Sequence, residues 1–292
     1  MTEIRLIKRK ELDKTKWNQL VELSAASVYN QIYYLDSLAE HWSAIVYGDY
    51  KGAIAVPYTI RLGVKGIYTP NFIRAVDWMG EKPECMDEVE QLLKKTFTRS
   101  NLNCNQQLFK ESTPLYYQVL SDSSELKLGS QSTRSIKKFA KTGLEITAIS
   151  MEEALPLIVR ELKQKVKDLR EIDFLRFENL LLNYKLSTCY CFGIKANSTL
   201  HAASILIEWN NELLYIKGGV DEFGKQHGLM HALIEYTIKF AHEREMKFSF
   251  EGSNVDSVRQ FNLGFGAKDV VYYNWNWNNS PWWFRILMKL RK

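Results

Sequence analysis

The sequence predicts an α/β (α+β) fold built from two tandem units of one kind, each a mixed, mainly antiparallel sheet flanked by helices. Two sets of three short alternating stretches, starting near Ser43 and near Thr188, are joined by turn residues, the pattern of a β meander. Each set follows two segments with helical spacing and precedes a long helix, a strand and a late strand. The two series are offset by about 145 residues, roughly one domain length.

Taken in order, residues 4–7 start a strand, and Leu12, Trp17, Leu20, Val21 and Leu23 give an amphipathic helix. A second helix is expected over 35–41. The first meander runs through 43–47, 53–60 and 65–69, turning at Gly48 to Gly52 and at Gly63 and closed by Pro70. Residues 83–97 form a helix with Pro83 at its start, early acids and late Lys94 and Lys95, in accord with the helix dipole. Strands are expected at 104–109 and 116–120. A Ser- and Asp-rich stretch at 121–124 then reads as a linker, which puts the domains at 1–124 and 125–280, with a basic aromatic tail at 281–292.

In the second half, helices are expected over 152–167 and 174–184. The second meander covers 188–194, 202–208 and 213–219, with turns at Ala196-Asn197-Ser198 and Asn210-Asn211. A long helix over 226–244, a strand over 248–251 and a last strand over 270–277 complete the series.

Composition bounds the reading. The 292 residues are 46% hydrophobic and 25% charged, ample for packed cores with a soluble surface. Thirty-nine basic against 34 acidic residues leave a charge of +5, which permits anionic ligands without pointing to DNA. Cys85, Cys104, Cys189 and Cys191 show no paired metal spacing and are expected as reduced thiols. With no export signal and no apolar run approaching about 18 residues, a cytoplasmic protein is expected. His227 and His231 lie four apart but lack the glutamate of HExxH, so no metal is expected.

Three stretches carry chemistry. In Phe248-Ser249-Phe250-Glu251-Gly252-Ser253-Asn254 a strand with one buried face delivers the Glu251 carboxylate to a turn. Asn254 or Asp256 can cap a following helix that Val255, Val258 and Phe261 would seat on the sheet. In Lys217-Gly218-Gly219 and Lys225-Gln226-His227-Gly228, a strand end and a helix start offer backbone N–H groups and glycines, suited either to a pyrophosphate or to an ordinary turn. Residues 130–144 read as a helix ending at Gly143. Its Arg134, Lys137, Lys138 and Lys141 line one face, either to hold phosphates or as a solvated basic face.

These residues carry a resemblance. The order of meander, glycine-bearing helix, strand, helix and Gly-Phe-Gly resembles the GNAT acyltransferases, and its duplication resembles the FemABX peptidyltransferases and related tandem-GNAT acetyltransferases. Residues 132–138 with Gly143 and Leu144 look like that family's basic segment. Phe250 to Ser253 and residues 261–267 look like its strand-end and FGA motifs. The sequence departs from the pattern at Met230, where a small residue is usual, and at Phe261, where a tyrosine often stands.

The resemblance implies an N-acyltransferase with acetyl-CoA or another acyl-CoA as co-substrate and no tightly bound cofactor. Aminoacyl-tRNA is the alternative donor, and the acceptor is a small-molecule or peptide-like amine. It implies catalytic roles for Glu251 and Ser253, and donor binding by Lys217, Gly218, Gly219, Lys225, Gln226 and Gly228. Arg134, Lys137 and Lys138 would hold phosphate. Two other readings stand beside it: a FemABX-type peptidyltransferase acting on a membrane-linked precursor, and a GNAT-derived binding protein without catalysis. The tail, with Trp282, Trp283 and Phe284 followed by Arg285, Lys289 and Lys292, either packs on the body or lies on an anionic membrane surface.

Overall fold

The computed structural model describes residues 3–122, 125–251 and 255–290. The chain divides into two compact units, 1–115 with 271–292, and 116–270.

In chain order the elements are β1 (Ile4–Lys8), α1 (Lys14–Leu23), α2 (Ile32–Leu38), β2 (His41–Tyr47), β3 (Gly52–Arg61), β4 (Val64–Ile67), β5 (Trp78–Gly80), α3 (Met86–Thr96), β6 (Arg99–Cys104) and β7 (Ser112–Leu120). They continue with α4 (Ser130–Ala140), β8 (Ile146–Ala148), α5 (Met151–Lys165), α6 (Glu171–Leu182), β9 (Cys189–Ala196), β10 (Thr199–Trp209), β11 (Glu212–Val220), α7 (Glu222–His227) and α8 (Leu229–His242). The last are β12 (Lys247–Ser249), α9 (Asp256–Leu263), β13 (Lys268–Asn278) and α10 (Trp282–Leu290).

The first unit is a sheet in the order β1-β2-β3-β4-β6-β13, with β5 paired to β3. All its neighbours are antiparallel except β4 and β6, which meet at Gly66 and Arg99. Trp17, Leu35, Ile45 and Ile54 are fully buried in its core. Residues 271–292 belong here because β13 pairs with β6 from Tyr273–Cys104 to Asn278–Arg99. Backbone hydrogen bonds therefore carry the chain's last strand back to the first unit, whereas 125–280 was expected to close a second domain.

The second unit orders its strands β7-β12-β11-β10-β9-β8. Every pairing is antiparallel except that of β11 with β12. Helix α8 buries Leu229, Leu233, Ile234 and Ile238 against Phe192, Leu206, Leu213 and Phe248 on one sheet face, an apolar stripe at helical spacing meeting alternate strand residues. Helix α5 packs against β10 and β11.

Several expectations are corrected. The helix expected over 226–244 is two helices: Asp221 caps α7 through its bond from the Gly224 N–H (2.9 Å), and Gly228 breaks the run in the left-handed region at φ +74°. The strand expected over 104–109 lies over Arg99–Cys104, because the side chains of Asn105 and Gln106 bond Asp77 and the backbone of Trp78 instead of extending the ladder. Short β5 and β8 carry too few residues to show a period. Val255 and Val258 do not seat α9: they are exposed, and Val255 is an N-cap without a side-chain bond. Helix α9 is held by buried Asn262 and by Phe261 packing on the core.

Candidate functional site

Strand β12 is short because its pairing is short. It runs parallel to β11 only over Glu212–Lys247, Leu213–Phe248 and Leu214–Ser249, while β11 continues to Val220. The ladder of β11 with β12 therefore ends at Leu214. Two parallel strands part here. The register between β10 and β11 also slips, from Ile205–Lys217 to Leu206–Tyr215. This β-bulge re-aims the side chains of β11 just past the parting.

Glu251 stands at that opening. It follows β12, is 9% exposed, and takes a left-handed backbone at φ +56°, uncommon for a residue with a side chain. The Ser249 hydroxyl donates to its Oε1 at 2.8 Å, and the Phe250 N–H bonds the Gln118 carbonyl of β7 at 2.9 Å. A nearly buried carboxylate is thus held by its own strand end.

Lys217, expected for its backbone, brings a charge to the same place. It lies on β11 three residues past Leu214 and is partly buried. Desolvation lowers its ammonium below the ordinary lysine value, and the Glu251 carboxylate opposes that shift. The fold therefore brings Lys217 and Glu251 into electrostatic reach.

The glycines are accounted for by their neighbours. A Cβ on Gly218 would fall 1.8 Å from the Tyr215 hydroxyl, and one on Gly219 would fall 2.8 Å from the Ile158 Cα of α5. At Gly228 a Cβ would meet the Ser135 carbonyl of α4 at 2.2 Å, so α4 crosses the junction of α7 and α8 in close contact. Lys225 and Gln226 are exposed on α7, and Lys225 pairs with Glu222 at 3.2 Å.

Arg134, Lys137 and Lys138 are exposed along α4. The glycines of the Gly264-Phe265-Gly266 run hold this helix in place. The Gly129 and Lys127 N–H groups bond the carbonyls of Gly264 and Phe265 at 2.9 and 3.1 Å, and a Cβ on Gly266 (φ +90°) would meet the Glu125 carbonyl at 2.2 Å. The basic helix thus lies beside the glycine junction, backed by Ser135. Ser253, with Gly252 and Asn254, lies outside the described residues.

One residue escaped the sequence reading. Tyr215 is the first residue of β11 past the parting. Its hydroxyl sits beside Gly218 and donates to the Met230 Sδ at 3.6 Å, and burial raises its phenol above the ordinary tyrosine value. The signal available was its place two residues before Lys217, but only the bulge puts its hydroxyl against Gly218. Met230 packs inward against Tyr215 and the core. Phe261 contacts the rings of His231 and Phe265. Gly228 places His227 and His231 on different helices, and the His227 Nδ1 bonds the Phe223 carbonyl at 2.8 Å.

A second network fixes α9 beside the site. The buried Asn262 amide donates to the Gln118 Oε1, whose own amide donates to the Asp269 Oδ1, both at 2.9 Å. Arg259 bonds both oxygens of Asp269 and holds that carboxyl below its usual range.

By sequence, the chain matches no protein family description and no curated protein. Solved structures do resemble it. FemX superposes with a TM-score of 0.62 at 10% identity, over 97% of this chain and 99% of that one. L-PGS from Bacillus licheniformis gives 0.57 at 12%, over 95% of each chain. A tandem GNAT protein from the clavulanic acid biosynthesis pathway gives 0.53 at 13%, over 96% and 99%. The chain accordingly has the fold of these proteins, the tandem GNAT protein among them.

Proposed function

We propose that the second unit is an N-acyltransferase moving an acyl or aminoacyl group from a thioester or aminoacyl-tRNA donor to an amine. The observation that supports this most is the parting of β11 from β12 with Glu251 and Lys217 at its opening. The donor chain would enter where β11 and β12 part, leaving its carbonyl near the two charges.

In the reaction the amine nitrogen attacks the acyl carbonyl. The C–N bond forms and the C–S or C–O bond of the donor breaks; the ammonium nitrogen loses two protons, one to Glu251 before attack and one as the C–N bond forms, the latter balancing the proton that the leaving group gains. Glu251 binds the amine as ammonium and accepts the first of these protons, leaving a neutral nucleophile. Tyr215 is the leaving-group acid in this reading, because its hydroxyl stands beside Gly218, the residue after Lys217. The exposed cations of α4 and the junction at Gly228 would face the phosphates of CoA or tRNA.

A membrane-linked acceptor is a second reading, favoured by the exposed apolar face of α10 described below. Calorimetric titration tests the donor. Heat on adding acetyl-CoA, lost in Arg134→Ala/Lys138→Ala, supports an acyl-CoA enzyme. No heat at millimolar acetyl-CoA, with aminoacyl-tRNA retained on a filter, selects the tRNA donor. Binding of neither would leave a GNAT-derived protein without transfer activity and sink the proposal.

A further inference from the structure

The last helix divides its surface in a way the transfer chemistry does not use. Phe284 is 1% exposed and lies under the Arg99 guanidinium, 5.1 Å from the ring centroid. Arg99 in turn lies across Gly66, whose missing side chain leaves room for it. This contact anchors α10 on the first unit by one face.

The opposite face is apolar and open. Trp282, Ile286 and Leu290 form one row at i, i+4, i+8, and are 69%, 49% and 79% exposed. Trp283 and Leu287 form the neighbouring row, 37% and 46% exposed. Five large apolar side chains, two of them indoles, thus make a continuous stripe, where scattered single residues would need no explanation.

Charge selects the occupant. Residues 281–292 contain Arg285, Lys289, Arg291 and Lys292 and no acid. Arg285 is exposed and lies beside the Trp282 row. A basic, acid-free segment whose apolar stripe carries indoles and is bordered by Arg285 matches the headgroup region of an anionic bilayer. Nine residues of helix are about 13 Å long, so α10 lies along such a surface. Among the described residues no helix is long and apolar enough to cross a membrane.

We propose that α10 docks the protein on anionic lipid bilayers, inserting Trp282, Trp283, Ile286, Leu287 and Leu290 at the headgroup level while Phe284 holds the helix to the body. The proposal rests on a different observation from the transfer site and stands or falls separately.

The test is cosedimentation of the full chain with vesicles of phosphatidylglycerol and phosphatidylcholine, compared with phosphatidylcholine alone. The comparison protein is Trp282→Ser/Ile286→Ser/Leu290→Ser, which keeps Phe284 and alters only exposed side chains. Its circular dichroism and unfolding midpoint confirm that it folds. The expected result is sedimentation with the anionic vesicles, weakened about tenfold or more in the variant and in high salt. Equal sedimentation of the two proteins would overturn the proposal. So would failure of the parent chain to sediment, or a concentration-dependent dimer in gel filtration that the variant abolishes while vesicle binding stays absent, which would assign the stripe to a second copy of the chain.

Discussion

Lys217 on β11 and Glu251 after β12 are 34 positions apart in sequence yet act on each other electrostatically at the point where their strands part. Because desolvation lowers the Lys217 pKa, the unfolded chain binds more protons than the folded one between that lowered value and 10.5, its ordinary value. Stability contributed at this position therefore rises with pH through the window and falls as pH drops through the lowered pKa. Urea midpoints of the parent and Lys217→Gln at pH 7 and pH 10 should show the parent gaining relative to the variant at the higher pH. A constant difference would mean that Lys217 is not desolvated.

Glu251→Gln keeps the size of the side chain and its contact with Ser249 but removes the charge. Transfer to an amine is expected to fall by roughly two orders of magnitude or more, with little change in the unfolding midpoint. Full activity in this variant would remove Glu251 from the chemistry.

Tyr215→Phe deletes one hydroxyl beside Gly218 and Met230. With the protein folded, the expected loss is about tenfold or more in kcat with KM little changed. The loss should shrink with a donor whose leaving group is more acidic, because such a group needs no proton. A uniform loss across donors would assign Tyr215 a packing role only.

Gly228 and Gly143 both have positive φ, +74° and +67°, but a Cβ at Gly228 strikes the Ser135 carbonyl whereas Gly143 has nothing within 4 Å. Gly143→Ala is expected to cost about 1 kcal/mol from backbone strain alone. Gly228→Ala should cost roughly 2 kcal/mol or more, since α4 must also move. Denaturant unfolding of both variants measures the difference, and equal losses would show that α4 does not rest on Gly228.

The Asp269 carboxyl is held low first by its bonds from Arg259, so its stabilising effect is present above the ordinary aspartate value and is lost as pH falls through the lowered one. Asp269→Asn should be less stable than the parent at pH 6, and the gap should narrow as the pH is taken below the ordinary aspartate value. Thermal melts across that range check it.

Much of the site's framework was legible because it rests on local rules. The turns at Asn197-Ser198 and Asn210-Asn211 have positive φ at all four residues, as short hairpin turns require, and they fix the second meander. Glu251 was legible as a carboxylate ending an alternating strand. Val255 and Val258 misled, because helical spacing shows which residues share a face but not whether that face meets a partner. The α10 stripe was ambiguous for the same reason.

The sequence by itself determined the two meanders, the order of most of the elements around them and the glycine positions, since these follow from backbone preference and period over a few residues. Tertiary structure alone decided that β12 pairs with β11 for only three residues, that the end of the chain returns to the first unit, and that Lys217 meets Glu251. Those outcomes depend on which distant strands exchange hydrogen bonds and which charges lose water together, and no local pattern in the chain encodes either.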